Sequence, residues 1–183
     1  MDFESLVRLR KSVRKYENKK IDRELIVKCI EAARLAPSAC NSQPWSFIVV
    51  DDVELKNKIA DLCTLPVGSM NKFMKDVPVI IVQVIERTNL SAGIGSKLTD
   101  RQYNFIDTGI AMENFCLQAT ELGLGTCIIG YFKEKTIKKL LNIPDTKRIG
   151  LLCTIGYEKD GQKESGKSRK SIKEILYYNN YGN

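Results

Sequence analysis

Histidine is absent from the 183 residues of the sequence. A Ser-His-Asp or Cys-His catalytic unit therefore cannot form, because its base is missing. Six cysteines are present without a CxxC pair, and with neither histidine nor paired cysteine the sequence does not favour a zinc site. We predict no metal ligands, assign no catalytic side chain, and expect the cysteines to be reduced thiols.

Long apolar runs are absent as well. The longest, such as PVIIVQVI at 78–85, are far shorter than the roughly 20 residues that a membrane-spanning helix needs. The first residues are charged, whereas a signal peptide would carry an apolar segment there. We therefore expect a cytoplasmic protein without a membrane partner. The chain length, the hydrophobic content of 43% and the lack of a repeat predict a single domain over residues 1–183.

The glycine fingerprints of nucleotide-binding loops are also missing. GLG at 123–125 follows a predicted helix rather than a strand and lacks the third glycine, which excludes a Rossmann motif, and there is no P-loop. The net charge of +7 favours anionic partners. It does not distinguish a nucleic acid, a lipid headgroup and a phosphorylated small molecule from one another.

Hydrophobic periodicity predicts helices that alternate with strands, which is typical of an α/β or α+β fold. Asp22 is a predicted N-cap, Gly123 a predicted helix end, and Ser171 with Glu174 a predicted capping box. Residues 86–100 are polar and contain glycine, which predicts a loop. The predicted helices cover 3–12, 22–36, 52–63, 105–122 and 133–141, and the predicted strands cover 45–50, 77–85, 126–132 and 148–157. The buried face of helix 105–122 is predicted to contain Ile110, Ala111, Phe115, Leu117, Ala119 and Leu122.

The first polar segment whose side chains could bind a ligand is LVRLRKSVRKY at 6–16. If the first helix continued, Arg10 and Arg14 would lie on the continuation of its apolar face. The segment is compatible with a solvated basic face, with a phosphate cradle, or with a nucleic-acid arm. Arginine forks suit phosphate, and the only nearby aromatic ring for base stacking is Tyr16. We therefore expect no nucleic-acid partner.

Two further segments allow both a structural and a binding interpretation. PSACNSQPW at 37–45 is either a helix-ending loop or a stiff loop whose polar side chains contact a planar heterocycle. Cys40 within it lacks a histidine to activate it, which favours a free thiol. GKSRKS at 166–171 is either ordinary surface charge or the second side of an anion site.

In order, the motifs RKSVRKY, APSACNSQPWSFIVV, DTGIAMENFCLQATELGLGTCIIGYF and IGYEKDGQKESGKSRKSIKEI resemble the nitroreductase family of flavin enzymes. The resemblance covers nearly the whole chain. It implies an α/β (α+β) fold with a central mixed sheet flanked by helices, and an intertwined homodimer with FMN at its interface. It also implies that NAD(P)H reduces FMN, which then reduces a nitroaromatic, quinone or similar acceptor in a ping-pong cycle. A flavin carries the hydride itself, which agrees with the missing histidine.

The resemblance also implies which residues contact FMN. The phosphate and part of the ring would be held by Arg10, Lys11, Ser12 and Arg14, with Lys167 and Arg169; the partner subunit would supply Pro37, Ser38, Ala39, Asn41 and Gln43; Asn71 and the backbone of Ile129 and Gly130 would complete the set. Ala39 stands where many relatives have a serine, and Ile129 where some have a glutamate. The resemblance also implies that the C-terminal segment YYNNYGN packs around the partner subunit. Dehalogenation, dehydrogenation, flavin destruction or flavin binding without catalysis stay open as alternatives.

Overall fold

Four antiparallel strands form the centre of the fold in the computed structural model, which describes residues 1–65, 70–160 and 167–182. The described α-helices are α1 (Phe3–Leu9), α2 (Arg23–Arg34), α3 (Val53–Leu62), α4 (Leu90–Thr99), α5 (Tyr103–Glu121) and α6 (Glu134–Leu140). The strands are β1 (Trp45–Val50), β2 (Val79–Ile85), β3 (Gly125–Ile129) and β4 (Arg148–Gly156), and 3-10 helices cover Ala39–Asn41, Lys72–Asp76 and Ile172–Glu174. The predicted motifs extend into residues 161–166 and Asn183, which lie outside the described residues.

The sheet has the strand order β1-β2-β4-β3, and all of its pairs of strands are antiparallel. A bulge interrupts the pairing of β2 with β4 between Gln83 and Val84. We predicted a mixed sheet, and in the described residues the parallel part is confined to a single bridge between Ser12 and Thr126. The α+β architecture is confirmed.

The core lies on both faces of the sheet, because alternate side chains of β2 point in opposite directions. Val79 and Ile81 pack with α2 and α5, whereas Ile80 and Val82 pack with α3 and α6. Burial on both faces explains why β2 is a continuous β-branched run rather than an alternating one. None of the helices in the described part of the chain combines the length and the hydropathy that crossing a bilayer requires.

Several helix ends lie at the residues that the sequence predicted. The Asp22 carboxylate accepts a hydrogen bond from the Glu24 amide at the start of α2. Gly123 has a φ of +75°, a left-handed conformation that ends α5 at little steric cost. The capping box of Ser171 and Glu174 is present in both directions, although it opens a 3-10 helix of three residues.

Three predictions about helices were wrong. Residues 86–100 contain α4, which begins after the Asn89 cap, whereas we predicted a loop. The first helix ends at Leu9, where the backbone of Arg10 leaves helical geometry, so Arg10 and Arg14 do not share a continued helix face. On α5, Ala111, Phe115 and Ala119 are buried as predicted, but Ile110 is 38% exposed and Leu117 and Leu122 are only partly buried.

Candidate cofactor site

The basic segment after α1 lies in an extended conformation against the edge strand β3. Ser12 forms a parallel bridge with Thr126, and the Val13 amide donates to the Thr126 carbonyl at 2.8 Å. The buried Tyr16 hydroxyl donates to the Val13 carbonyl at 2.8 Å. Because side chains alternate along an extended segment, the burial of Val13 leaves Ser12 and Arg14 exposed. The core thus fixes the backbone of the segment while its polar side chains face outward.

Gly125→Ala is expected to loosen this basic segment. A Cβ at Gly125 would lie 2.6 Å from Val13 Cγ2 and 2.8 Å from Val13 Cβ. Overpacking of this kind destabilises a protein by about 1–3 kcal/mol, which a denaturant titration can measure. Gly93→Ala on α4 is the matched control, because its Cβ would meet Thr88 Oγ1 at an ordinary 3.6 Å. Equal free energies of unfolding for the two variants would contradict the close packing of Val13 on β3.

Cations from the two ends of the chain converge beside this segment. The Lys167 ammonium donates to the carbonyls of Val7, at 3.0 Å, and Arg8 at the end of α1. Partial desolvation lowers the pKa of Lys167, and the positive charges of Arg10 and Arg169 lower it further, so these charges act on Lys167 electrostatically. Lys11 acts in the same direction. We call the set of Arg10, Lys11, Lys167 and Arg169 the cationic cradle.

Two carboxylates partly balance the cationic cradle. Glu113 Oε1 lies 3.6 Å from Arg10 Nε, and Glu158 Oε1 lies 2.9 Å from Lys11 Nζ. Four cations against two carboxylates leave a formal excess of two positive charges. A phosphate monoester carries about −1.5 to −2 charges at pH 7. The charge of the cradle therefore suits one phosphate group, and Ser12 adds an exposed hydroxyl in the same segment.

Strand β3 carries the next group of predicted contacts. Burial raises the pKa of the Cys127 thiol, and the positive charge of Arg14 opposes that shift, so Arg14 lies close to β3. The side chain of Ile129 is 3% exposed and packs toward α3 and α6. A Cβ at the exposed Gly130 would meet nothing within 4 Å. The Ile129 side chain is therefore not available to a ligand, and the backbone contact of Ile129 and Gly130 stays a prediction.

Asn71 stands at the start of the 3-10 helix Lys72–Asp76, which shares a core cluster with Val13 and Tyr16 of the basic segment. It caps the 3-10 helix Lys72–Asp76 in a left-handed conformation with a φ of 62°, and its side-chain amide donates to the Cys63 carbonyl at 2.9 Å. That helix packs with α3. The described contacts of Asn71 thus hold the end of α3, and its flavin contact stays a prediction.

The loop after α2 adopts an unusual backbone. Cys40, Asn41 and Gln43 have φ values of 51°, 50° and 46°, although none of them is glycine. Non-glycine residues in this region persist only where surrounding contacts enforce the conformation. Within the loop, Ser38 Oγ accepts from the Gln43 amide at 2.9 Å, and the Gln43 side chain donates to Asn41 Oδ1 at 3.0 Å. Its own hydrogen bonds thus support this conformation of the loop, and Pro37 and Asn41 are exposed on it.

Helix α5 separates this loop from the cationic cradle. The Ala39 amide donates to Asp107 Oδ2 at 3.1 Å, whereas Arg10 pairs with Glu113. Asp107 and Glu113 are six residues apart, which corresponds to about 9 Å along the helix and an angle of about 120° between their side chains around it. Loop and cradle thus contact different sides of α5 in one chain.

Reasoning from the sequence missed three carboxylates of this region, Asp107, Glu113 and Glu158. A signal for Asp107 was present, because it precedes Ala111 and Phe115 at a spacing of four and so continues their buried stripe. No comparable signal marks Glu113, which is exposed and whose partner Arg10 lies in another element. In the described part of the chain, no group of three or more His, Cys, Asp or Glu side chains is placed to hold a metal ion.

Fold and cradle together describe an α+β protein with a cluster of cations at the edge of its sheet. The nitroreductase family model matches residues 7–68 and 65–157. A protein of Archaeoglobus fulgidus, provisionally named NADH dehydrogenase/NAD(P)H nitroreductase, is 33% identical over 161 residues, which cover 85% of this chain and 84% of that protein. The chain therefore belongs to the nitroreductase family.

Two further relatives show the range of this similarity. The structure of an FMN-dependent nitroreductase from Clostridium difficile has a TM-score of 0.79 and 29% identity, and covers 98% of this chain and 100% of that one. An iodotyrosine deiodinase of Drosophila melanogaster is 26% identical over 194 residues, which cover 93% of this chain and 67% of that protein. One fold thus serves relatives whose names describe different reactions.

Proposed function

We propose that this protein is an FMN-dependent oxidoreductase that uses NAD(P)H to reduce nitroaromatic, quinone or similar acceptors by a ping-pong mechanism. The observation that carries the proposal is the cationic cradle, which joins both ends of the chain and has the charge for one phosphate monoester. The similar Clostridium difficile protein is described as FMN-dependent, and the Archaeoglobus relative carries NAD(P)H in its name.

The residues of the site fit FMN. The phosphate would be held by the cationic cradle and Ser12, because arginine guanidinium groups bind phosphate oxygens in pairs. Arg14, beside β3, would meet the ring system, together with the backbone at Ile129 and Gly130. Asn71 is a further proposed contact.

We also propose that two copies of the chain form an intertwined homodimer with FMN at the interface. Apolar side chains on α5 lie open: Ile106 is 55% exposed and Ile110 38%. The loop residues Pro37, Ser38, Ala39, Asn41 and Gln43 lie across α5 from their own cradle, which supports the proposal that they serve the cradle of the partner. Exposed side chains of the C-terminal segment, such as Tyr178 and Tyr181, would pack on the partner as well.

The chemistry requires little from the side chains. Bound FMN supplies a site that accepts a hydride and passes electrons to an acceptor. The protein would bind and orient FMN and the acceptor. Its positive charges near the flavin would favour anionic forms of the flavin. Because no histidine is present and we assign no catalytic side chain, a proton for the acceptor would come from solvent.

The alternative reaction with specific support is reductive dehalogenation, because a deiodinase is among the similar proteins. The two proposals share the cofactor and differ in the acceptor. Reduced protein mixed with an iodinated phenol would release iodide in the alternative case only. A flavin-binding protein without catalysis would oxidise NAD(P)H no faster with any acceptor than without it.

The visible absorption spectrum of the purified protein tests the cofactor. A yellow protein that releases FMN on heating, identified by mass, is the expected result. Steady-state NAD(P)H oxidation at several acceptor concentrations should then give parallel double-reciprocal lines. A colourless protein that also fails to bind added FMN would contradict the proposal.

A further inference from the structure

A buried carboxylate on α5 has no role in the chemistry proposed above. Asp107 is 4% exposed and lies among the apolar residues of the buried face of α5. Burial raises the pKa of Asp107, and the hydrogen bond from the Ala39 amide opposes that shift. Buried acidic groups are unfavourable unless they are partnered. The partner that the structure gives Asp107 is the backbone of the loop Pro37–Gln43.

This loop depends on a few connections to the rest of the fold. The hydrogen bonds from Gln43 to Ser38 and Asn41 lie within the loop and do not attach it to the rest of the fold. Among the described residues, two side chains from the body of the protein hold it from outside: Asp107 accepts from the Ala39 amide at 3.1 Å, and the Asn89 side chain donates to the Cys40 carbonyl at 2.8 Å. The Asn89 amide also donates to Ser42 Oγ at 2.7 Å. Asn89 also caps α4, so its position is set by that helix. Asp107 is thus the anchor from the central helix, next to the residues that we propose to contact FMN.

We propose that Asp107 is a positioning residue that fixes the loop Pro37–Gln43 for contact with FMN in the site of the partner subunit. This inference rests on the proposed function. A carboxylate suits the role because it only accepts hydrogen bonds, and an ionised acceptor binds an amide more strongly than a neutral one. The left-handed residues Cys40 and Asn41 follow directly after the anchored Ala39, so a change at the anchor alters the conformation of the contact residues.

The experiment compares FMN binding by Asp107→Ala, Asp107→Asn and the unaltered protein. FMN is titrated into apoprotein and followed by flavin fluorescence, and the visible circular dichroism of the bound flavin is recorded at saturation. Asp107→Ala is expected to bind FMN about tenfold more weakly, as for loss of a charged hydrogen bond, with a changed dichroism spectrum. Asp107→Asn keeps an oxygen acceptor and is expected to recover part of the affinity. Glu121→Gln, at the exposed end of the same helix, is the matched control and should leave both readouts unchanged.

Mixed dimers test the action across the interface. Arg10→Ala and Asp107→Ala chains with different affinity tags are co-expressed, and the mixed dimer is purified through both tags. If Asp107 serves the partner, one site of this dimer combines both defects and the other is intact, so half of the sites bind FMN with unaltered affinity. If Asp107 acts within its own chain, each site carries one defect and no site binds normally.

The outcomes separate this inference from the proposed function. An unaltered protein that binds no FMN contradicts the proposed function itself. Unaltered protein that binds FMN, together with an Asp107→Ala variant of equal affinity and dichroism, overturns the inference alone. A purely structural role would lower the thermal midpoint of Asp107→Asn without moving either flavin readout, and that result would overturn it too. If Asp107→Ala does not fold, Asp107→Asn carries the same comparison.

Discussion

Arg10→Ala is expected to purify with an intact fold and with most of its FMN lost. The Arg10 side chain is 19% exposed, and its guanidinium faces the site where four cations exceed two carboxylates. A hydrogen bond to a charged group contributes about 1.5–3 kcal/mol, which corresponds to a dissociation constant raised roughly 10- to 150-fold. Arg169→Ala should act similarly, because Arg169 belongs to the same cradle. Arg10→Lys should lose less affinity, since the charge stays while the paired geometry is lost.

Arg8→Ala is the control for this series. Arg8 lies two residues earlier, is exposed, and pairs with Glu4 at 2.6 Å on the surface of α1. Exposed pairs of this kind contribute little to stability, so the variant should keep its FMN. The measurement is the equilibrium titration of apoprotein with FMN, beside a thermal melt that checks the fold. Undiminished FMN affinity in both Arg10→Ala and Arg169→Ala would overturn the assignment of the cradle.

If the proposed dimer forms through α5, the double variant Ile106→Glu, Ile110→Glu is expected to be a monomer that retains little FMN. The two isoleucines lie one turn apart on α5, and both are exposed in the single chain. Burying each in an interface would contribute about 1.5–3 kcal/mol, whereas an unpaired carboxylate there opposes association. FMN should be lost together with the dimer, because the loop Pro37–Gln43 would no longer reach the cradle of the partner.

Mass measurement by light scattering after size-exclusion chromatography follows this change. Val53→Glu, on α3, provides the control, because Val53 is equally apolar and 66% exposed but lies on the other face of the sheet. It should leave both mass and flavin content unchanged. A double variant that keeps the mass and FMN content of the unaltered protein would exclude α5 from the interface.

Local signals in the sequence predicted the individual elements well where backbone chemistry dominates. Asp22 and Gly123 marked helix ends because an N-cap carboxylate and a left-handed glycine act over a few residues. Helix α4 was missed because its apolar residues Leu90, Ile94 and Leu98 have helical spacing but sit among glycines and polar residues, and they are exposed. The usual link between helical spacing of apolar residues and burial in the core does not hold for this helix.

The site was less predictable because its geometry depends on distant parts of the chain. The basic motif could be found, but not its extended backbone, which depends on Gly125 allowing Val13 to approach β3. The resemblance paired Lys167 and Arg169 with the N-terminal motif, while no local pattern indicates that Lys167 binds the carbonyls at the end of α1. Tertiary contacts of this kind leave no trace in the spacing of neighbouring residues.

The contact of Lys167 with α1 also bears on how the protein is made. The four strands that the structure describes lie between Trp45 and Gly156, so a nascent chain that has emerged to that point already contains them. The cradle still lacks Lys167 and Arg169 at that stage, because they are separated from Arg8 by about 160 residues of chain. The four cations of the cradle can therefore meet only after Lys167 and Arg169 have been synthesised. Binding of a phosphate group by the whole cradle would accordingly follow formation of the sheet, as a late step of folding.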